Sequence, residues 1–384
     1  MCHHLRGSAT ILAVLCLSAS LLAGGQAATT QLAPADVVKA VQKIVAPDTR
    51  LTVFDVTVEP KDGTLEVTGK VGSAESRNAL LKALAAAGHT KVVDKIEVLP
   101  DPALGERQYA VVTVSVATMK TEPSHSSELG NQLIMGMPVK VLKRENGWYF
   151  SQSIDDQYLG YMEPDHLAVM TRAELDAFLV APRVVVTVPF TLAREGAAAD
   201  AAPVCDLVLG DVLLADRPAD NGHRAVQLPD GRKGFVDGAA VMDFAEWKSS
   251  RQPTPQNIEK IARLFMGVPY LWGGTSPKGF DCSGYTKTVF RANGVELQRD
   301  ADQQSVQGAA VTLEGDLAQL RKGDLLFFGP RAGVTRITHT GIYLGDKLFI
   351  HCAGKVKVNS FDPASPIYSE NLRGRLVNAR RLTT

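Results

Sequence analysis

The stretch Pro269-Tyr-Leu-Trp-Gly-Gly-Thr-Ser-Pro-Lys-Gly-Phe-Asp-Cys-Ser-Gly-Tyr285 constrains this chain more than any other. It is a glycine-rich approach that delivers one cysteine, Cys282, to the start of a helix. Tyr285, Val289 and Phe290 follow at helical spacing, and Asn293-Gly294 supplies a stop, so Asp281 reads as the N-cap and Cys282 as a first-turn residue. Unpaired amide N–H groups and the positive end of the helix dipole favour a thiolate there, and the thiolate is the nucleophile. The plain alternative is a small buried cysteine on a packed helix.

At 384 residues the chain exceeds one ordinary core, and two to four domains are expected. Lys+Arg and Asp+Glu both number 41, so no global field draws the protein to nucleic acid or to an anionic membrane. The N-terminus reads as a secretory signal peptide over residues 1–28: a basic start, an apolar run from Ala9 to Ala23, then small residues to Ala28. Cys16 lies in mid-run after Ala13-Val-Leu, which argues against lipidation, and no later segment has the ~20 apolar residues of a membrane span. A periplasmic or secreted protein is therefore expected. Its mature part keeps Cys205, Cys282 and Cys352, an odd number that hints at a free reactive thiol; a Cys205–Cys352 disulfide stays open and would leave Cys282 free.

In chain order, residues 33–99 read as a small α+β domain. Its pattern is a helix (35–45), strands (51–58 and 64–71) around an Asp62-Gly63 turn, a helix (74–87) and a last strand (91–98). Pro100-Asp-Pro-Ala is a stiff linker. Residues 104–172 hold short strands at 109–118, 138–144, 148–153 and 159–162, enough for a small barrel. A second barrel is expected over residues 182–246, with strands at 184–188, 211–215, 225–228 and 233–236. After the polar linker Ser249-Ser-Arg-Gln-Pro-Thr-Pro, residues 252–384 open with a helix (256–266) carrying Ile258, Ile261, Ala262 and Phe265 on one stripe. Strands at 324–328, 339–344, 348–351 and 375–381 follow the Cys282 helix, which is the order of an α+β papain-like core.

A cysteine nucleophile needs a base at its sulfur, and the base needs a group to hold its ring. Within this last domain the candidates are His339, opening one apolar strand, and His351, closing the next; both lie equally far from Gly345. Pairing centred on Gly345 sets the two imidazoles opposite each other on one face, whereas a two-residue loop offsets them, so the turn is predicted to have an odd number of loop residues. His339 then receives the thiol proton and His351 fixes its tautomer. A Cys-His-His zinc site is the rival arrangement of the same residues.

Pro269-Tyr-Leu-Trp-Gly-Gly, Phe280-Asp-Cys-Ser-Gly, Arg299-Asp-Ala-Asp-Gln-Gln, Gly323-Asp-Leu-Leu-Phe-Phe, His339-Thr-Gly-Ile-Tyr-Leu-Gly and Phe349-Ile-His together resemble the NlpC-type cell-wall cysteine peptidases. The resemblance implies a triad of Cys282, His339 and His351, an acyl-enzyme, and hydrolysis of the γ-D-glutamyl bond to a diamino acid in peptidoglycan peptides, with no metal or cofactor. It also implies that Tyr270 bounds the oxyanion region, that Asp281 and Ser283 touch substrate, and that Arg299 and Asp300 are substrate contacts; Gln298 departs from the proline common before the Arg299 motif. Ser127-Glu-Leu-Gly-Asn-Gln-Leu, Gly147-Trp-Tyr and Tyr158-Leu-Gly-Tyr resemble a bacterial SH3-like domain, and residues 62–69 with the elements after them resemble BON domains, which implies weak envelope association.

Two SH3-like barrels ahead of such a core narrow the resemblance to the γ-D-glutamyl-L-diamino-acid endopeptidases, or dipeptidyl-peptidase VI-like enzymes. These act on muropeptides with a free N-terminal L-Ala. In that subgroup a glutamate and a tyrosine of the first barrel hold the substrate ammonium, and the matching positions are Glu128 and Tyr158. The physics agrees, because an ammonium taken out of water needs an anionic partner, which selects free over acylated amines. An endopeptidase on intact wall and a non-catalytic envelope-binding protein are the alternative functions.

Overall fold

The computed structural model describes residues 32–220 and 222–382. The signal-peptide expectation falls on residues outside that range. The chain divides into two units, one ending at Gly105 and one from Glu106 onward. No helix among the described residues is long and apolar enough to cross a membrane.

In the first unit, Pro34 at the N-terminal turn starts α1 (Pro34–Val45). Strands β1 (Phe54–Lys61) and β2 (Thr64–Val71) form a hairpin whose two-residue turn, Asp62-Gly63, has both φ angles positive. Ser73 caps α2 (Ala74–Ala86), and β3 (Val92–Val98) then pairs parallel to β2. Val37, Val38 and Val41 of α1 and Leu80 and Leu84 of α2 pack on Val67 and Val71 of the sheet, as the order of elements predicted. The first strand begins at Phe54 rather than 51, because Asp48 binds the guanidinium of Arg50 and accepts the amides of Leu51 and Thr52, holding 48–52 in a turn.

The second unit opens with a barrel of seven strands, β4 (Tyr109–Val112), β5 (Val116–Lys120), β6 (Leu129–Ile134), β7 (Pro138–Glu145), β8 (Trp148–Ser153), β9 (Leu159–Met162) and β10 (Leu167–Met170), in the order β10-β4-β7-β8-β9-β5-β6. The single strand expected over 109–118 is two. β4 pairs with β7 and β10, whereas β5 pairs with β6 and β9, so the chain must bend between them. After α3 (Arg172–Val180), with its Thr171/Glu174 capping box, come β11 (Arg183–Val186), β12 (Phe190–Arg194), β13 (Pro203–Val208), β14 (Val212–Asp220), β15 (His223–Gln227), β16 (Lys233–Asp237) and β17 (Val241–Asp243). Their order, β13-β12-β16-β15-β14-β11-β17, is the order of the first barrel read from its other edge. The two barrels are fused: Met135 of the first is buried in the core of the second, and its amide donates to the buried carboxylate of Asp211 at 3.0 Å.

Helix α4 (Phe244–Ser250) replaces part of the expected linker, and α5 (Pro255–Leu264) follows it. A short pair, β18 (Thr275–Ser276) and β19 (Gly279–Phe280), leads into α6 (Cys282–Ala292), and α7 (Ala301–Gln304) comes next. An antiparallel sheet closes the fold, made of β20 (Ala309–Val311), β21 (Leu325–Phe328), β22 (His339–Gly345), β23 (Leu348–Ala353) and β24 (Lys355–Ser360), and then, after α8 (Glu370–Arg375), β25 (Leu376–Arg381). Its order is β20-β25-β21-β22-β23-β24. Tyr285, Val289 and Phe290 of α6 pack with Phe265 and Phe280 on Leu325, Phe327, Ile342 and Ile350. That packing lays the N-terminus of α6 across the two histidine strands.

Candidate active site

Asp281 caps α6 as its position predicted: one oxygen accepts the amide of Gly284 at 2.7 Å, and the other accepts the amide of Gly273 at 3.1 Å. One carboxylate thus ties the glycine-rich approach to the helix start. The glycines are needed for closeness, since a Cβ on Gly284 would stand 2.0 Å from the carbonyl oxygen of Gly274. Arg299 grips the same carboxylate with both terminal nitrogens, at 2.5 and 3.2 Å, and donates to Ser283 Oγ at 3.0 Å. At 1% exposure Arg299 holds Asp281 and Ser283 in place rather than standing open to solvent, although a substrate contact was expected of it. Gln304 of α7 buttresses the helix from behind, bonding Thr286 Oγ1 and the carbonyl of Ser283.

Opposite Cys282, the histidine hairpin departs from expectation in its turn. The loop is the two residues Asp346 and Lys347, both at positive φ, a type I′ turn rather than an odd-numbered loop. A bulge between Tyr343 and Gly345 inserts the residue that restores parity, and Ile342 pairs with Ile350. In that register His351 lies against Gly341, one position along the same face from His339. The rings meet with His339 Nε2 2.8 Å from His351 Nδ1.

The tautomers follow from the next strand. Asn359 Nδ2 donates to the carbonyl of Ile367 at 2.9 Å, so its Oδ1 faces His351 Nε2 at 3.0 Å as an acceptor. His351 Nε2 therefore carries a proton. His351 Nδ1 is then free to accept from His339 Nε2, which leaves the lone pair of His339 on Nδ1. Sequence reasoning missed Asn359. Its signal was the alternation Lys355-Val-Lys-Val-Asn, a strand that would have set it beside His351.

The amides of Thr340, next to His339, and of Ser283 lie near enough to the Cys282 sulfur to favour its charged form. Burial nevertheless pushes the thiol up to about 12, with the charge of Asp281 adding to it. Burial also lowers His339 to about 3 and His351 to about 4. Burial thus favours the neutral thiol and the neutral imidazoles over their charged forms. The thiolate expected from the helix start is outweighed by desolvation. The zinc alternative loses donors, because three of the four imidazole nitrogens are used by the two histidines and Asn359, and no metal-binding group of His, Cys, Asp or Glu occurs among the described residues. Cys352 and Cys205 are free thiols, with Cys352 donating to the carbonyl of Phe280 at 3.2 Å, so the possible disulfide is absent.

The first barrel reaches this site through the two residues singled out in it. Glu128 Oε1 accepts the indole N–H of Trp272 at 2.6 Å, and the hydroxyl of Tyr158 donates to Asp300 Oδ2 at 3.4 Å. Trp272 lies in the glycine-rich approach and is 63% exposed; it belongs to the motif, yet sequence reasoning assigned it no role. Gln132 of β6 seals the contact by accepting the amide of Thr275 at 2.9 Å through its side chain and the Thr275 hydroxyl through its carbonyl at 2.8 Å. Half-buried Tyr270 stands close enough to Cys282 and Asp281 that, after burial, their charges raise its pKa further.

Comparison with known proteins matches residues 267–381 to the NlpC/P60 family and residues 119–167 to the bacterial dipeptidyl-peptidase SH3 domain. The chain is 28% identical over 271 residues to a dipeptidyl-peptidase 6 of Lysinibacillus sphaericus, a match covering 68% of this chain and 95% of that one. To a gamma-D-glutamyl-L-lysine dipeptidyl-peptidase of Bacillus subtilis (strain 168) it is 41% identical over 132 residues, 34% of this chain and 42% of the relative. The crystal structure of an NlpC/P60 family protein from Bacillus cereus ATCC 10987 shares the fold, with a TM-score of 0.62 at 24% identity over 72% of this chain and 100% of that one.

Proposed function

We propose that this cysteine peptidase, whose residues 267–381 match the NlpC/P60 family, hydrolyses the γ-D-glutamyl-L-diamino acid bond, diaminopimelate first, of peptidoglycan-derived peptides whose N-terminal L-Ala amine is free. Cys282 is the nucleophile and His339 the base. Sγ attacks the γ-carbonyl carbon while the thiol proton passes to His339 Nδ1. As the C–N bond breaks, that proton goes to the departing amine. Water then attacks the thioester carbon, gives a proton to His339, and the sulfur leaves and recovers it. His351 and Asn359 hold the base in the tautomer this needs. Burial and its neighbours keep Tyr270 a protonated donor beside the developing oxyanion.

The observation that carries this reading is the placement of Glu128 against Trp272 and of Tyr158 against Asp300. An ammonium seated at Glu128 gains a carboxylate partner, whereas an acylated amine brings no charge to it. The names of the relatives, as dipeptidyl-peptidases, support the same direction. Mass spectrometry of products from L-Ala-γ-D-Glu-diaminopimelate and its N-acetyl form tests it. Cleavage of the free peptide is expected to dominate, and Glu128→Gln to lower kcat/KM on it by about 10–100-fold, the worth of a charge-assisted bond of about 1.5–3 kcal/mol. Equal cleavage of both peptides would remove the role of Glu128 and favour intact wall as substrate.

The enzyme acts outside the cytoplasm in this reading, and the first unit, BON-like in its order of elements, adds weak envelope association. A fusion of residues 1–28 to alkaline phosphatase is expected to be active; an inactive fusion would move the enzyme back to the cytoplasm.

A further inference from the structure

Five residues beyond Cys282 on the same helix, Lys287 turns away from the catalytic core toward the first barrel. Its Nζ lies 3.2 Å from Asp156 Oδ2, and the two side chains are 6% and 1% exposed. Lys287 also donates to the carbonyl of Leu297 at 2.5 Å, and Asp156 Oδ2 accepts from Asn131 Nδ2 at 3.3 Å. The other oxygen of Asp156 receives the amide of Tyr158 at 3.1 Å, across Gln157, which is held at a φ of 61°. Asp156 therefore fixes the peptide that presents Tyr158. One helical turn on, Arg291 stands 3.8 Å from the neighbouring Asp155, a second hold on the same loop.

A buried ion pair is weak evidence for stability, because desolvation takes back most of the Coulomb gain, and its best-attested use is to set register. Here one partner sits on the nucleophile's helix and the other on the loop of a proposed amine-binding residue. The geometry points to Lys287 and Asp156 as a positioning pair. We propose that it sets the reach from the amine-recognising wall of the first barrel to the sulfur of Cys282, and so gauges the acyl segment that fits: a dipeptide with a free amine. This rests on the function proposed above. The pair acts through Tyr158 and Cys282 and touches neither substrate nor reacting atoms.

The test uses the full chain and two variants. In Lys287→Met/Asp156→Leu both charges go, so a merely structural role is answered by apolar packing. The expected result is a folded protein with a lowered melting temperature, because the Asn131 amide, the Tyr158 N–H and the Leu297 carbonyl lose their partners, and with kcat/KM on the free tripeptide down about 10²-fold, the scale of a misplacement of about 1 Å. That loss is expected chiefly in KM, together with loss of the preference over the N-acetyl peptide. Lys287→Arg, which keeps the charge and changes the reach, is expected to raise KM in the same direction and covers the case in which the double variant fails to fold. Wild-type KM and selectivity in Lys287→Arg, or in a folded double variant, would overturn the proposal. Wild-type enzyme is assayed first on both peptides. Equal turnover there sinks the amine reading and this use of the pair together, whereas selectivity that survives in the variants sinks the pair alone.

Discussion

Cys282→Ala is expected to abolish hydrolysis, with kcat falling on the order of 10⁶-fold, because without the sulfur no acyl-enzyme forms. The fold should not change: the thiol is 7% exposed, alanine is smaller, and the Asp281 cap and the Arg299 fork do not involve it. Binding of the free tripeptide should survive, since Glu128 and Tyr158 lie on the other wall. A companion measurement checks the protonation state. With the thiol pushed up to about 12, alkylation of Cys282 should climb with pH from neutrality through pH ~9 without a plateau. A preformed thiolate–imidazolium pair would instead react at a constant rate across that range. The alkylation of Cys205 and Cys352 is subtracted with the Cys282→Ala protein. Full cleavage by that variant would remove Cys282 from the chemistry altogether, and loss of wild-type activity to a chelator would return the site to the zinc alternative.

The chemistry was legible where it depends on local sequence. Asp281 as cap, Cys282 in the first turn and Asn293-Gly294 as stop are set within one helix, and each was readable from residue type and spacing. The two histidines share a face as expected, but for a different reason: the bulge, not the loop, sets the parity. A bulge leaves no residue-type signature in Tyr343-Leu-Gly, so the register slipped while the face held. What failed depends on neighbours far along the chain. Burial disfavours the thiolate of Cys282, and helix-end position alone carries no information about that burial. Strand β6 was missed because Gly130, Asn131 and Gln132 are poor strand formers; buried Asn131 and Gln132 are retained for bonds to Asp156 and Thr275, partners that only the fold supplies. The common strand order of the two barrels is equally hidden, since their sequences share little beyond alternation.

Arg299→Met is expected to be the most destabilising of the substitutions considered, at about 3–5 kcal/mol, because it strands the carboxylate of Asp281 in a site 8% exposed. Burial alone would lower the pKa of Arg299, yet the charge and hydrogen bonds of Asp281 overturn that and hold it above the ordinary arginine range, the mark of a guanidinium committed to its partner. Methionine fills most of the stem's volume, so the loss measures the fork rather than a cavity. For a unit of this size the cost corresponds to a fall in Tm of about 10 °C. The effect should be partly undone by a second change, Asp281→Asn, which removes the unpaired charge while its side-chain oxygen can still accept from Gly284. The costs of the two single variants should therefore sum to more than that of the double, and the cycle should give a coupling of about 1–3 kcal/mol. Activity should not return with stability, because Asp281 joins the approach through Gly273, the helix start through Gly284 and the Ser283 hydroxyl in one bonded group. That group sets where the sulfur stands relative to His339. A single variant melting within about 0.5 kcal/mol of wild type would mean that solvent reaches this carboxylate, and that the sulfur is positioned by the packing of the helix alone.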